Sequence, residues 1–579
     1  MKLMRLSSPL DLLSSAVPVR LAALLAVCAI AVPAAASSAS DGGVPHDILP
    51  PSPGGIGPDV LCPFPGMPMS PPDNPQVGDS WLWWLWVHNP PPPHFEQDMC
   101  TVRGLSAHGY VVVRNTEWLV SVDQADVDQI LERWENSSIG PFPSLGIYDL
   151  DSLAFGTPPD ELDNDPRIYL TWFDFGISAD GFFFWFDEFP EGTYPEYHSN
   201  ECEVLYLNPT SSGGPSGNYM LAVMAHELEH MIHWKYDSDE SPWVDEGLAE
   251  LAMWLYGAPD NISGFNSNPD NSLIVWNGDW ADYIKTYLWS LYFYERYGGL
   301  PAVYDVVHEP ANSIQGYENV LDALGYSQNF ADVFADWTVA NYLDDTTIED
   351  GRFGYAGDDL PPFSVAGTYS SYPVLNINKT VNHWAADYYR FQNFDPYGNL
   401  YLTFDGDDSN SFAVWGLALH SNGVTEVHRM TLDPSTQSGY LLMNGMTDPA
   451  DQAVLVVGSA SSTGGTGYYF SGFTGEGTGS GPMAPGRLSL EASPNPFASS
   501  VSLDLGWDGQ PGSGSPDVEI YDLQGRLITR LDTPSGSAGS ATLLWDGTSA
   551  DGSVAPSGVY LARAESGMQS CTARLVRIR

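Results

Sequence analysis

The chain has 579 residues and carries 73 acidic against 21 basic side chains, a net charge of −52. Such acidity argues against nucleic acid or an anionic membrane as a partner. Hydrophobic content of 43% and aromatic content of 13% argue for packed domains over disorder, and the length calls for several of them.

The N-terminus reads as a secretory signal over residues 1–36. Lys2, Arg5 and Arg20 supply positive charge, Leu21 to Val32 is an apolar run short for a bilayer span, and Ala34-Ala35-Ala36 offers a small-residue cleavage site. Cys28 follows Val27, where a lipoprotein site would place a small residue, so a lipid anchor is not expected. No other segment is apolar enough to span, and the expected location is secreted or cell-surface. Cys62, Cys100, Cys202 and Cys571 remain after cleavage; export permits disulfides, and the sequence does not choose among three pairings. Residues 37–79 are rich in Pro, Gly and Ser and read as a linker or removable pro-segment.

A first folded domain is expected over 80–362. Trp81 to Trp86 reads as a buried aromatic strand, Tyr110 to Val113 as a β-branched strand, and Ile168 to Phe173 as a third. Between them, Gln124 to Trp134 has helical spacing, with Val127, Ile130, Leu131 and Trp134 on one face. Ser199 to Leu207 is strand-like and precedes the most informative stretch of the chain.

That stretch is Ala225-His226-Glu227-Leu228-Glu229-His230, an H-E-x-x-H within a helical pattern free of Gly and Pro from Asn218 to Pro242. Residues four apart share a helix face, so His226 and His230 can offer two imidazole nitrogens to one zinc ion. Glu227 is turned toward the neighbouring edge of the site, where it can take a proton from an attacking water without being a ligand. A catalytic zinc needs a third protein ligand. Pro242 can open a second helix, on which Glu246 and Glu250 lie four apart. Glu246 fits as the third ligand, and Glu250 as the outer carboxylate that fixes a ligating imidazole. A plain surface helix with solvated His and Glu is the bland alternative. A structural zinc site is another, with His233 as the side chain to check for a fourth ligand. The chain has no C-x-x-C, so thiolate ligation is not expected.

The run HELEHMIHWKYD…WVDEGLAELA resembles the gluzincin metallopeptidases, nearest to a hyicolysin-like branch. The metzincin pattern fails, because His233 and Tyr236 stand where it needs Gly and His. Asp245 stands where the family usually has Asn. The resemblance implies an α+β zincin-like peptidase domain, with the strand ahead of the metal helix (Ser199 to Leu207) as the edge of the cleft; a core strand is the equal alternative. It also implies a Tyr near the start of the aromatic helix Asp282–Gly298 that donates to the developing oxyanion. By register this is Tyr283, with Tyr287 next. The signature G-x-M-E-N, which anchors a free N-terminus in aminopeptidases, is absent, which favours internal cleavage of protein or peptide substrates.

Phe334 to Asn341 is expected to close the domain. Residues 363–474 read as an all-β sandwich, with strands at Leu400–Phe404 and Val454–Val457. The acidic loop Asp405-Gly406-Asp407-Asp408 offers carboxylates to Ca2+, but does not match an EF-hand and reads more readily as a solvated turn. Residues 475–485 form a Gly-rich linker. Residues 486–579, with Pro494-Asn495-Pro496-Phe497, Trp545-Asp546-Gly547 and Ser557 to Leu561, resemble the C-terminal immunoglobulin-like modules of the FlgD-like and type IX secretion sorting groups. That resemblance implies contact with secretion or cell-surface machinery. The expectation is therefore a multidomain exported zinc endopeptidase. The competing reading is a non-catalytic surface or adhesion protein with a zincin-like domain.

Overall fold

In the computed structural model the described residues run from 71 to 578, with Asp59, Leu61 and Pro68 before them; 1–58, 60, 62–67, 69–70, 475–488, 508–515 and shorter internal stretches lie outside. The signal, most of the Pro-rich segment, Cys28, Cys62 and the Gly-rich linker therefore lie outside the described residues. Two compact units emerge: residues 1–364 with 382–387, and 365–381 with 388–579. Residues 382–387 thus fold with the first unit, and not with the sandwich to which the sequence boundary at 363 gave them. Trp384 explains this: its ring packs on Phe330 and Phe334, and its carbonyl accepts from the Leu273 N–H at 2.8 Å.

The first unit begins with β1 (Ser80–Val87), β2 (His94–Leu105) and β3 (Gly109–Arg114). Helices α1 (Gln124–Glu135) and α2 (Ile147–Ala154) follow, then β4 (Ile168–Trp172), β5 (Gly181–Phe183) and β6 (Val204–Leu207). Helix α1 has a reciprocal N-cap, Asp123 with Asp126, and buries Val127, Ile130 and Trp134. Sheet order is β1-β2-β3-β4-β6-β5. β3, β4 and β6 run parallel, and β5 returns antiparallel to β6.

This decides between two equal expectations in favour of the core strand. The strand ahead of the metal helix, β6, lies inside the sheet between β4 and β5, and β5 is the edge. A run of four buried residues, Val204 to Leu207, fits a strand flanked on both sides. The edge strand is only three residues long and lies in the Phe-rich run before it, where no alternation signals a strand.

The remaining helices are α3 (Asn218–Tyr236), α4 (Pro242–Tyr256), α5 (Trp280–Tyr297), α6 (Leu300–Val307), α7 (Ile314–Leu324) and α8 (Phe330–Leu343). Helix α3 is buried at every position from Met220 to His233. Pro242 occupies the first turn of α4, and Gly257 closes it in the left-handed region at φ 110°. A Cβ on Gly247 would lie 2.7 Å from Ser290 Oγ and 2.9 Å from the Thr286 carbonyl, so this glycine lets α4 and α5 touch. Helices α2, α6 and α7 were not expected from sequence. No helix among the described residues is long and apolar enough to cross a membrane.

The second unit is all β. Strands β7 (Gly367–Tyr369), β8 (Val374–Val381), β9 (Ala385–Gln392), β10 (Gly398–Gly406), β11 (Phe412–Leu419), β12 (Thr425–Arg429), β13 (Ser438–Met446), β14 (Gln452–Ser459) and β15 (Thr466–Thr474) form two sheets. Their orders are β13-β10-β15-β8 and β12-β11-β14-β9-β7. The sheets meet through aromatic rings in sandwich fashion: Tyr389 on Phe470 at 4.6 Å and Phe404 on Phe412 at 5.1 Å. In the acidic loop, Asp407 Oδ1 accepts from the N–H and hydroxyl of Ser409, which is how a solvated Asx turn closes.

The C-terminal module comprises β16 (Ser489–Ser493), β17 (Val501–Trp507), β18 (Asp517–Asp522), β19 (Leu527–Leu531), β20 (Gly539–Trp545), β21 (Gly558–Ser566) and β22 (Gln569–Arg577), in sheets β16-β17-β20 and β19-β18-β21-β22. It owns its core: Leu503, Leu505, Val518, Ile520, Trp545 and Leu575 are buried together. Trp545 is edge-on to Phe497 and Tyr560, and its Nε1 donates to the Thr548 carbonyl at 2.8 Å. Among the described cysteines, Cys100, Cys202 and Cys571 are free thiols. Because its core is self-contained, residues 486–579 expressed alone should unfold cooperatively on heating. Trp545→Ala should remove about 3–5 kcal/mol, enough to abolish that transition. A truncation lacking 486–579 should leave the thermal transition of the first unit in place. Calorimetry of the three proteins checks both expectations.

Candidate metal centre

Helix α3 has no Gly or Pro to break it and apolar residues on all sides, so it runs through the interior and carries its ionisable side chains with it. Only the turn from Asp237 to Ser241 separates it from α4, which brings the start of α4 beside the second half of α3. The turn is latched from behind. Glu240 Oε1 accepts from the backbone N–H groups of Ser241 and Ser313, and Trp243 Nε1 donates to Ser313 Oγ at 2.9 Å.

Three predicted ligand atoms converge. His226 Nε2 and His230 Nε2 are 3.0 Å apart, and Glu246 Oε2 lies 3.6 Å from the first and 3.8 Å from the second. His226, His230 and Glu246 are buried. Atoms in such a triangle all reach one point at the roughly 2.0–2.2 Å of zinc ligation. The chemistry fits as well. Glu246 Oε2 has no hydrogen-bond partner, and two imidazole nitrogens face each other with no acceptor between them. A shared cation satisfies all three atoms at once; no arrangement of protons does so as fully.

An outer carboxylate sets the tautomer of one imidazole. His230 Nδ1 is 3.0 Å from Asp245 Oδ1, and a carboxylate can only accept, so Nδ1 carries the proton and Nε2 is left free to ligate. Glu250 Oε1 stands 3.5 Å from His226 Nδ1, the corresponding place on the other ring. Glu250 thus lies beside the ring expected of it, but neither of its oxygens nor His226 Nδ1 has a hydrogen-bond partner. Asp245 is a supporting residue that sequence reasoning missed; its signal was an acidic side chain immediately before the ligand Glu. His233 is not a fourth member of the triangle. Its Nδ1 turns to Glu229 Oε1 at 3.2 Å and Asp245 Oδ1 at 3.4 Å. A second convergent set, Glu229, His230 and Asp245, shares that same protonated Nδ1 and belongs to the support of the first.

Glu227 is fully buried beside the triangle. Burial pushes its carboxyl up to about 8; the charges of Asp180 and Asp245 add to this, while His230 and the Phe183 backbone pull it down. Burial also pushes Glu246 up to about 8, with His230 again in opposition. Burial and His230 together hold His226 well below the ordinary imidazole value. For His230 burial opposes the charged form, but Asp245, Glu246 and Glu227 outweigh it and raise the ring. A divalent cation here would favour the ionised form of both carboxyls and offset the cost of burying them.

Edge strand β5 passes directly over Glu227. A Cβ on Gly181 would lie 2.9 Å from Glu227 Oε1 and 3.0 Å from its Cγ, so only glycine leaves the carboxylate in place. This residue too was not anticipated; a Gly opening a Phe-rich run gave no local hint. Tyr283 stands in the first turn of α5 with its ring on Trp276 at 4.7 Å and near Trp280. The loop bearing Trp276 is fastened by the buried Lys285, which donates to Asp282 Oδ1, Asn271 Oδ1 and the Val275 carbonyl. Tyr287 donates to Asp358 Oδ2 at 2.9 Å. The structure therefore brings together His226, His230, Glu246, Glu227 and Glu250, and sets Tyr283 in an aromatic cluster.

Comparison with known proteins bears on the other end of the chain. Residues 497–570 match the FlgD Ig-like domain family. No curated protein matches the chain in sequence. Among solved structures, the chain is similar to PorZ, a surface component of the type-IX secretion system of Porphyromonas gingivalis, at 23% identity, 21% of this chain, 15% of that chain and a TM-score of 0.12. It is similar to latent PorU of the same organism at 17% identity, 36% of this chain, 20% of that chain and a TM-score of 0.17. A GH2 beta-galacturonidase from Eisenbergiella tayi gives 12% identity, 36% of this chain, 44% of that chain and a TM-score of 0.19. The chain spans less than half of each, and scores this low assign no fold.

Glu246→Ala is expected to abolish stoichiometric zinc retention after dialysis. Asp245→Ala and Glu250→Ala should each weaken zinc affinity by about 10- to 100-fold. Competition with a chromophoric chelator measures all three. Unchanged affinity in Glu246→Ala would remove it from the ligand set.

Proposed function

We propose that the chain is an exported zinc-dependent endopeptidase of the gluzincin type, with a zincin-like first unit that hydrolyses peptide bonds of extracellular proteins. The observation that carries this reading is the convergence of His226 Nε2, His230 Nε2 and Glu246 Oε2 beside a buried, uncoordinated Glu227. Those three residues would hold zinc, which when bound supplies Lewis-acid polarisation of a carbonyl and a more acidic water. Glu227 accepts the proton of the attacking water and delivers it to the leaving amine. Its burial beside the ligand set keeps it in place for both transfers. Gly181 keeps the space above it clear. Asp245 holds the ring of His230 in one tautomer, and Glu250 stands 3.5 Å from the ring of His226.

The free side of β5 offers main-chain donors and acceptors to an extended peptide, which aligns the substrate over Glu227 without regard to its sequence. Tyr283, by its register on α5, is the assigned donor to the oxyanion. The FlgD Ig-like module at the C-terminus, after the type IX sorting resemblance, addresses the protein to secretion or cell-surface machinery and takes no part in catalysis. The competing reading, a non-catalytic surface protein, leaves unexplained why a general-base carboxylate is buried at a complete ligand set, where its burial is costly.

Cleavage of casein by the zinc-loaded protein, its loss with EDTA and its return with zinc are the expected results. Glu227→Gln should keep one zinc per chain and lose at least about 100-fold in kcat. A zinc-loaded wild type without activity on any unfolded protein favours the non-catalytic reading. Gly181→Ala should retain zinc and lose roughly 10- to 100-fold in kcat/KM, because its methyl group displaces Glu227; full activity in that variant would mean that Glu227 need not be so tightly placed.

A further inference from the structure

Beside His230, on the side of its Nδ1, opens a small surface cleft. One wall is aromatic: Phe183 at the end of β5, Trp185 just after it, and Trp234, one turn beyond His230 on α3. The other is acidic: Asp237 and Glu240 in the α3–α4 turn and Asp245 on α4. We propose that this cleft is a specificity subsite for a cationic side chain, Lys or Arg, of the peptide next to the bond being cleaved. The inference rests on the peptidase reading above and adds the substrate class.

The partners of the three carboxylates point to what is missing. Asp245 is committed to His230 and His233. Glu240 is committed to the N–H groups of Ser241 and Ser313. Asp237 differs: its residue is 7% exposed, yet Oδ2 has no hydrogen-bond partner. Burial, then a side-chain hydrogen bond with Asp239 and the charge of Glu240, with His233 only partly offsetting them, push its carboxyl up to about 7. A buried carboxylate in this state is stabilised by a cation. No Lys or Arg lines the cleft. Lys235, the nearest in sequence, donates instead to the Pro158 carbonyl at 2.9 Å. His233 offsets this acidic group only in part, so a further cation would come from outside, and the aromatic wall suits its arrival: Trp faces attract ammonium and guanidinium groups and cover their alkyl stems. Phe183 ties the subsite to the chemistry, since it ends the strand that begins over Glu227 and its ring lies 6.1 Å from that of Trp234. A side chain held here therefore places its own backbone at the edge strand. The chain's −52 charge further concentrates cationic peptides around it.

The test uses the full chain, zinc-loaded, and peptides identical except for Lys, Arg, norleucine or Glu at each position flanking the cleaved bond. At one position Lys and Arg should exceed norleucine by at least tenfold in kcat/KM, with Glu worst. In Asp237→Asn that ratio should fall to within about threefold, and Asp237→Glu should restore most of it; zinc content and thermal midpoint show that both are folded. Equal rates for Lys and norleucine at every position, or an undiminished ratio in Asp237→Asn, overturn the subsite and leave the peptidase reading standing. If no peptide is cleaved, the peptidase reading fails, and binding decides the subsite. Quenching of Trp fluorescence in zinc-loaded Glu227→Gln should then show the Lys peptide bound at least tenfold tighter than norleucine. Equal binding overturns the proposal. Millimolar CaCl2 that raises the thermal midpoint of wild type but not of Asp237→Asn, without any Lys preference, overturns it in favour of a free-cation site.

Discussion

The constraint on which the first unit depends is that α3 is buried along most of its length while carrying five ionisable side chains: His226, Glu227, Glu229, His230 and His233. Its apolar residues contribute about 1.5–3 kcal/mol each for full burial of Leu, Val, Met or Ile. An unpaired buried ion costs several kcal/mol. Five such groups can cancel what the apolar ones contribute, so the helix is stable only if they are matched one to another. Glu229 pairs with His233 within α3, and α4 meets the three imidazoles. Asp245 meets His230 and His233, Glu250 faces His226, and Glu246 completes the triangle. The remaining cost of burying Glu227 and Glu246 is the part that a divalent cation would offset.

Everything around this pair of helices keeps it in register. The Glu240–Ser313–Trp243 latch fixes the turn between them, and Gly247 lets α5 press against α4 one residue beyond Glu246. Lys285, one of few cations in an acidic protein, is spent on binding the Asn271–Asn277 segment to α5. Such a side chain makes little sense as surface charge; buried and fully committed, it orients the aromatic group around Tyr283. The short β5 adds the upper boundary, with Gly181 over Glu227 and Phe183 at the mouth of the acidic cleft.

The C-terminal half obeys a different logic. Its sandwich is built from central strands buried over most of their length and by aromatic contacts between sheets. Its last module closes on Trp545 with no residue borrowed from upstream. Self-contained cores of this kind can be appended to unrelated domains, which suits an address more than a catalytic part.

Local information was sufficient wherever the physics is local. The 3.6-residue period put His226 and His230 on one helix face and Glu246 and Glu250 on another, and Pro242 and Gly298 marked helix ends, because these depend on backbone geometry within one or two turns. The strands at Trp81, Tyr110 and Ile168 were legible from β-branched and aromatic runs. Sheet order was not: β6 lies inside and β5 at the edge, a matter of which long-range pairs form, and a three-residue Phe run carries no alternation to announce it. The return of residues 382–387 to the first unit likewise depended on Trp384 finding Phe330 and Phe334. The same holds for the site. The sequence supplied the ligand types and spacing, but only the tertiary structure decided that Asp245 holds His230, that Gly181 must lack a side chain, and that Asp237 faces aromatic rings from a distant strand. These are contacts between residues far apart in the chain, set by packing and charge compensation that no local pattern encodes.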